Sequence, residues 1–162
     1  MDWYIVQVKQ NKAGQLMTYL NQEKQWHAFI PRIEKWFSSS QTKAFLTQEM
    51  YPGYLLIKTE LDRERFQTLY TAMMPESTFS KLQEIEVRSH EADFFTHFFN
   101  EEGILCHSAG MIENHQLRIF EGPLMGMEQH VIKINRHKRT ALLDAEILGS
   151  SIIVPLEIVS KH

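Results

Sequence analysis

The sequence predicts an α+β protein in two parts: an antiparallel sheet packed with helices, followed by a small β-barrel. In the first hundred residues, segments rich in β-branched and aromatic residues alternate with segments whose apolar residues recur at helical spacing. Beyond about residue 113, only short apolar segments separated by turn residues remain. Helices segregated onto an antiparallel sheet are typical of the α+β class.

The first part begins with a strand and a helix. Asp2 to Lys9 is dense in Trp, Tyr, Ile and Val, which favours a strand. Apolar residues at helical spacing then predict a helix from about Lys12 to Lys24, with Asn11 as its N-cap. Three further strands are predicted, at Ala28 to Phe37, Lys43 to Glu49 and Gly53 to Thr59.

Two helices and one strand complete the first part. Asp62 is predicted to cap a helix that Pro75 stops, because proline cannot continue the backbone hydrogen bonding. Phe79 to Val87 is interpreted as a final strand. Ser89 is predicted to cap a third, Phe-rich helix that Gly103 terminates.

The domain boundaries follow from where the pattern breaks. Residues 1–102 form the predicted first domain, residues 103–113 the linker, and residues 114–162 the barrel. Turn residues divide the barrel at Gly122-Pro123, Asn135-Arg136 and Gly149-Ser150. The strands between and after these turns are predicted at Val131 to Ile134, Thr140 to Leu143 and Ser151 to Val159.

Composition indicates a soluble cytoplasmic protein. Of its 162 residues, 43% are apolar, which is enough for a packed core. Cys106 is the only cysteine, so no internal disulfide is possible and a reducing compartment fits. No secretory signal is visible and no segment approaches the ~20 apolar residues that cross a bilayer, so no membrane partner is expected.

The charge distribution argues against a bulk basic module. The net charge is −3; residues 1–102 carry 11 Lys and Arg against 14 Asp and Glu, and residues 103–162 carry 6 against 6. Any phosphate contact must therefore come from a local patch. The densest one is the run Arg136, His137, Lys138 and Arg139, which together with Lys133 shortly before it contains no acid, so its positive charges are expected to be uncompensated. It is either a solvated hairpin tip or an RNA or DNA contact.

No pattern of residues predicts catalysis, a metal or a cofactor. The eight histidines are scattered, and His90 and His97 share a helix face without a third ligand nearby. Cys106 is followed by His107, but neighbouring side chains need not face each other. Phosphate loops, paired acids and nucleophile–base signatures are missing from the sequence. We therefore expect a protein that is not an enzyme.

The strand that begins with Trp3-Tyr4 and the C-terminal segment from Leu117 to Val159 resemble those of the NusG superfamily of transcription factors. The N-terminal Trp3-Tyr4 strand and the Tyr51-Pro52-Gly53-Tyr54 segment resemble the NusG N-terminal (NGN) domain, whose fourth strand follows a Pro-Gly-Tyr turn. Leu117 to Val159 resembles the KOW module, an SH3-like β-barrel. The Gly-Pro-Leu-Met-Gly-Met-Glu and Asn-Arg-His-Lys-Arg segments are most similar to the specialised LoaP-type paralogues.

The resemblance implies a monomeric factor that binds RNA polymerase. In relatives the strand after the Pro-Gly-Tyr turn docks onto the polymerase clamp helices, which implies contacts by Tyr51, Pro52, Tyr54 and Leu56. Alternation puts Tyr54 and Leu56 on one sheet face, which is either core or interface. Relatives direct basic residues at the positions of Lys9 and Lys12 toward non-template DNA or nascent RNA.

The function implied is transcription elongation and antitermination at particular operons. One alternative is a general NusG-type elongation factor that couples polymerase to Rho or ribosomes. Another is an RNA-binding KOW protein without polymerase contact. Relatives of the RfaH type refold this module into helices, but the strand-favouring residues of the C-terminal segments predict a barrel here.

Overall fold

The computed structural model describes residues 2–74, 83–85 and 87–159. Within them lie three helices, α1 (Ala13–Leu20), α2 (Arg63–Met73) and α3 (Ser89–Phe98). The twelve strands are β1 (Asp2–Gln7), β2 (Trp26–Phe29), β3 (Arg32–Ser38), β4 (Lys43–Glu49), β5 (Tyr54–Thr59), β6 (Gln83–Ile85), β7 (Ile104–Leu105), β8 (Ser108–Glu113), β9 (Gln116–Glu121), β10 (Val131–Asn135), β11 (Thr140–Ile147) and β12 (Ser150–Ile158). The predicted α+β class is confirmed. No helix in these ranges is long and apolar enough to cross a membrane.

The chain forms two compact units whose boundaries are discontinuous. The first comprises Met1–Pro31 and Glu49–Phe94, and the second comprises Arg32–Gln48 and Phe95–His162. The contacts of the β3–β4 hairpin therefore group it with the C-terminal strands. The domain boundaries inferred from sequence stay a prediction.

The first unit is a four-stranded sheet in the order β2-β5-β1-β6. Tyr4 lies opposite Ile57 in the antiparallel pairing of β1 with β5. On this face, apolar side chains of the sheet pack with those of α1 and α2 in one core. Phe66 of α2 stacks on Tyr4 with 3.8 Å between ring centroids, and the Trp26 indole donates to the Leu20 carbonyl at 2.7 Å.

Several elements of the first unit differ from the predictions in their ends. Asp62 caps α2 as predicted, since its carboxylate accepts from the Arg65 amide at 2.8 Å. Asn11 is not a cap, because residues 10–12 form a 3-10 turn and Lys12 precedes α1. The single strand predicted from Ala28 is two strands, since Ile30 and Pro31 separate β2 from β3 and proline offers no N–H to a ladder.

The predicted limits of the third helix are also corrected. Ser89 is its first residue rather than its cap, and the Glu91 carboxylate accepts from the Arg88 amide at 3.1 Å. The helix ends at Phe98, well before Gly103. Asn100 closes the following turn, because its side-chain oxygen accepts from the Glu102 and Ile104 amides. The predicted stop at residue 75, and most of the strand predicted over 79–87, lie outside the described residues.

The second unit contains a curled five-stranded sheet in the order β10-β11-β12-β8-β9 and a three-stranded sheet in the order β4-β3-β7. The strands predicted in the barrel region are confirmed, so this segment is not a helical hairpin. β8 lies within the segment predicted as a linker and pairs in parallel with β12. Buried side chains include Ala141, Val154 and Leu156.

The predicted turn at Gly122-Pro123 depends on glycine for two reasons. Gly122 has a φ of +96°, and a Cβ there would lie 2.5 Å from the Ser108 Cα and 2.8 Å from the His107 carbonyl oxygen. The turn also lets the Leu124 amide donate to the buried Ser108 hydroxyl at 2.9 Å. Residues distant in sequence therefore meet where only glycine fits.

Candidate functional site

The Tyr51–Tyr54 segment forms a type II turn. The Tyr54 amide donates to the Tyr51 carbonyl at 3.1 Å, and Gly53 has a φ of +87°. This turn type requires a residue that tolerates positive φ at its third position, here glycine, and commonly has proline at its second. The Gly53 carbonyl accepts from the Val8 amide at 2.8 Å, which ties the turn to the segment after β1. Tyr54 is thus held at the start of β5 by backbone hydrogen bonds.

The predicted polymerase-binding residues differ in burial. Tyr51 and Tyr54 are partly buried and Pro52 is exposed, whereas Leu56 is 0% exposed. Leu56 lies opposite Ile5 on one side and Phe29 on the other, and both of these residues are buried too. Alternation left Leu56 either in the core or at an interface, and its burial places it in the core. The accessible part of the set is the turn.

Further along β5, the same sheet face changes from buried apolar side chains to a charged one. Two residues beyond Leu56, Lys58 lies opposite both Trp3 and His27. The Lys58 ammonium is 5.6 Å from the Trp3 ring centroid, a cation–π arrangement. The face therefore has a buried apolar middle, with Tyr54 at one end and a cation beside an indole at the other.

The Tyr51 hydroxyl is buried without a hydrogen-bond partner among the described residues. Burial, and secondarily the negative charge of Glu91, raise the pKa of Tyr51 to about 12. Both causes favour the neutral phenol, so Tyr51 offers its ring and not a charge at physiological pH.

The two predicted basic residues near the N-terminus are exposed. Lys9 follows β1 and Lys12 precedes α1, and the Lys12 amide donates to the Lys9 carbonyl at 2.8 Å across the 3-10 turn. They belong to the first unit, whereas the basic residues of the β10–β11 turn belong to the second.

In the second unit, the basic turn joins β10 to β11. Arg136, His137 and Lys138 are exposed in this turn, and Lys133 is exposed on β10 just before it. The Asn135 side chain accepts from the Lys138 amide at 2.9 Å and orders the turn. Within the described residues, none of the three lysine and arginine side chains of this group makes an ion pair.

Arg139, the fifth member of the predicted group, is occupied by the protein itself. Its guanidinium lies 3.5 Å from the Trp36 ring centroid and donates to the Glu157 carboxylate at 2.6 Å. Stacking of a partly desolvated guanidinium on indole stabilises by about 1 kcal/mol. The expectation that the positive charges of this turn are uncompensated is therefore wrong for Arg139. Sequence gives no local signal for this contact, because Trp36 lies in a different strand pair far along the chain.

The structure also bears on the residues considered for chemistry. Burial, and then the nearby Glu34 carboxylate, raise the pKa of the Cys106 thiol, which disfavours the reactive thiolate. Glu34 accepts from both the backbone amide and the ring Nδ1 of His107, at 2.7 and 2.9 Å. Over the described part of the chain, no group of three or more His, Cys, Asp and Glu side chains is arranged to hold a metal ion.

Residues 1–94 match the family model described as "Transcription termination factor nusG". The chain belongs to the NusG family. The match spans more than half of the chain and contains both N-terminal motifs, the Trp3-Tyr4 strand and the Tyr51–Tyr54 turn. Members of this family are non-enzymatic factors of transcription elongation and termination that interact with RNA polymerase. No curated protein sequence matches the chain at a significant level.

Proposed function

We propose that this NusG-family protein is an elongation and antitermination factor that binds the RNA polymerase clamp helices through its N-terminal unit and promotes processive transcription of particular operons. The observation that supports this most directly is the Tyr51–Tyr54 turn, which presents a partly exposed Tyr54 at the end of a buried sheet face. A preformed aromatic anchor loses little conformational entropy on binding, which suits the centre of an interface.

The proposed roles within this surface follow from burial. Tyr54 and Pro52 contact the polymerase, and Tyr51 packs beneath them with its hydroxyl neutral. Leu56 supports Tyr54 from within the core rather than touching the partner. The factor favours processive polymerase because it binds that conformation better than the paused one, since a ligand shifts an equilibrium only by its difference in affinity.

The C-terminal unit, as a KOW-type module, contacts nucleic acid through its basic turn. Lys133, Arg136, His137 and Lys138 supply that contact, with Lys9 and Lys12 as a separate contact from the N-terminal unit. The specialised, LoaP-like role rests on the sequence of the same turn and of the Gly122–Glu128 segment.

Binding to purified RNA polymerase tests the proposal. Tyr54→Ala is expected to weaken binding about thirtyfold or more, because truncating a central aromatic anchor costs about 2 kcal/mol or more. Tyr54→Phe, which keeps the ring, and Ile132→Ala, which removes an exposed apolar side chain from the other unit, serve as controls. Unchanged affinity of Tyr54→Ala would remove the turn from the interface.

A general factor that couples polymerase to Rho or ribosomes is the second candidate, and the description of the matching family as a termination factor favours it. Transcript profiles after deletion separate the two. Loss of distal reads in a few long operons supports the specialised role, whereas a change across most transcripts supports the general one.

A further inference from the structure

Trp36 projects from one face of the β3–β4 hairpin, and this face, called the Trp36 face below, lies beside the basic turn of the β10–β11 hairpin. Arg139 ends that turn and stacks on Trp36, which projects from β3. The Glu157 carboxylate holds the same guanidinium, and the Arg139 carbonyl accepts from the Leu156 amide at 2.9 Å. These contacts fix where the basic turn sits relative to β3, and all of them lie within the second unit.

A lysine of the β3–β4 hairpin shares this face. Trp36 contacts Phe45 of β4 with 5.2 Å between ring centroids, so the two rings are on one side of the hairpin. Lys43 precedes Phe45 by two residues and therefore projects from the same side, ~7 Å further toward the hairpin tip. Lys35, next to Trp36, projects from the opposite side. Both lysines are exposed.

The charges around this face favour an anion. From residue 35 to residue 48 the hairpin carries two lysines and no acid. Glu34 is on the Trp36 face but on the side away from the tip, where His107 donates to it. Glu157 is engaged by Arg139. Among the residues that the structure describes, no carboxylate forms an ion pair with Lys43, Arg136 or Lys138.

We infer that Lys43 extends the basic turn into one binding surface for the phosphate backbone of single-stranded nucleic acid, and that Arg139 is a positioning residue held by Trp36 rather than a phosphate ligand. Lysine and arginine side chains on two adjoining hairpins can contact successive phosphates of one strand, as in the positively charged grooves that bind single strands. This inference rests on the proposed nucleic-acid contact of the basic turn, to which it adds Lys43 as a phosphate ligand and Arg139 as the residue that positions the turn.

Binding of a 12-nucleotide single-stranded RNA, measured by fluorescence anisotropy over a range of salt concentrations, tests the inference. Lys43→Gln is expected to bind about fivefold more weakly near 0.1 M salt. Its plot of log binding constant against log salt concentration should be shallower by about 0.7, as expected for one lost phosphate contact on a single strand. Lys35→Gln makes the same charge change on the other face of the same hairpin and should bind like the wild type. The same sequence as single-stranded DNA and as a duplex distinguishes the type of nucleic acid.

The positioning role needs a variant that leaves the charge unchanged. Trp36→Leu is expected to weaken binding about threefold, and Trp36→Phe, which keeps a ring under Arg139, should restore most of it. Circular dichroism and hydrogen exchange confirm that each variant is folded. If Trp36→Leu binds like the wild type while Arg139→Gln lowers the salt slope, Arg139 is a phosphate ligand and the positioning role is wrong.

The remaining outcomes separate this inference from the proposed function. Equal binding by Lys43→Gln and Lys35→Gln, with loss of binding by the Arg136→Gln/Lys138→Gln double variant, overturns the extended surface and leaves the basic turn as the contact. Wild-type protein that binds none of the probes, or a double variant that binds normally, overturns the nucleic-acid contact of the turn itself. Preference for the duplex overturns the single-strand assignment.

Discussion

Substituting Gly122 and Gly126 by alanine separates backbone strain from steric exclusion. Both glycines lie in the same loop at similar positive φ, +96° and +82°. An alanine there costs about 1–2 kcal/mol in strain at either position. Nothing lies within 4 Å of a Cβ at Gly126, whereas a Cβ at Gly122 would lie 2.5 Å from a backbone atom of Ser108.

The additional cost at Gly122 has two parts. Moving β8 away from the new methyl group costs about 1–3 kcal/mol, as for other overpacked sites. The displacement also stretches the buried hydrogen bond from the Leu124 amide to the Ser108 hydroxyl, and an unsatisfied buried amide costs about 1–3 kcal/mol. We therefore expect Gly122→Ala to lower the free energy of unfolding by about 3–8 kcal/mol and Gly126→Ala by about 1–2 kcal/mol.

Urea denaturation measures the difference, and hydrogen exchange of peptides from β8 and β9 locates it. Gly122→Ala should increase exchange in both strands, because the loop joins β9 to the Ser108 backbone. Gly126→Ala should leave their protection nearly unchanged. If the two variants lose the same stability to within about 1 kcal/mol, the close approach to Ser108 is not what requires glycine at position 122.

Two further predictions concern the first unit. Asp62→Ala should destabilise by about 1 kcal/mol through loss of the cap to the Arg65 amide, with Asp62→Asn losing less; thermal denaturation checks this, and equal losses would contradict the capping role. The raised pKa of Tyr51 means that the folded state favours the neutral phenol. The resulting contribution of Tyr51 to folding stability is therefore fully present below about pH 10 and is lost as pH rises toward about 12. Stability measured from pH 9 to 12 should therefore fall less steeply in Tyr51→Phe than in the wild type, and identical slopes would refute the assigned cause.

Much of the fold could be predicted because its signals are local. The Asp62 cap, the Tyr51–Tyr54 turn and the strands on either side of Gly149 each depend on residues within a few positions of one another. Helix ends were less predictable, although Asn11 and Ser89 are good capping residues by type. Asn11 lies inside a 3-10 turn that precedes α1, and at the start of α3 it is the Glu91 carboxylate that accepts from a backbone amide. Propensity ranks the candidates, and the surrounding backbone selects among them.

The sequence predicted where the candidate surfaces lie, but not which of their side chains are accessible to a partner. Alternation shows that Tyr54 and Leu56 share a sheet face, but not that this face is covered at Leu56. A run of positive charge identifies the basic turn, but not that Arg139 turns inward to Trp36 and Glu157. Both facts depend on residues that approach only after folding.

The sequence by itself determined the NusG motifs, the α+β class and the positions of the turns at Gly53, Gly122 and Gly149, because hydrophobic period and turn chemistry depend on neighbouring residues. Tertiary structure alone decided that the β3–β4 hairpin joins the C-terminal strands and that Arg139 is held between Trp36 and Glu157. Stacking and ion pairing act over a few ångströms of space regardless of separation along the chain. The side chains that remain free to bind a partner are therefore known only once the packing is known.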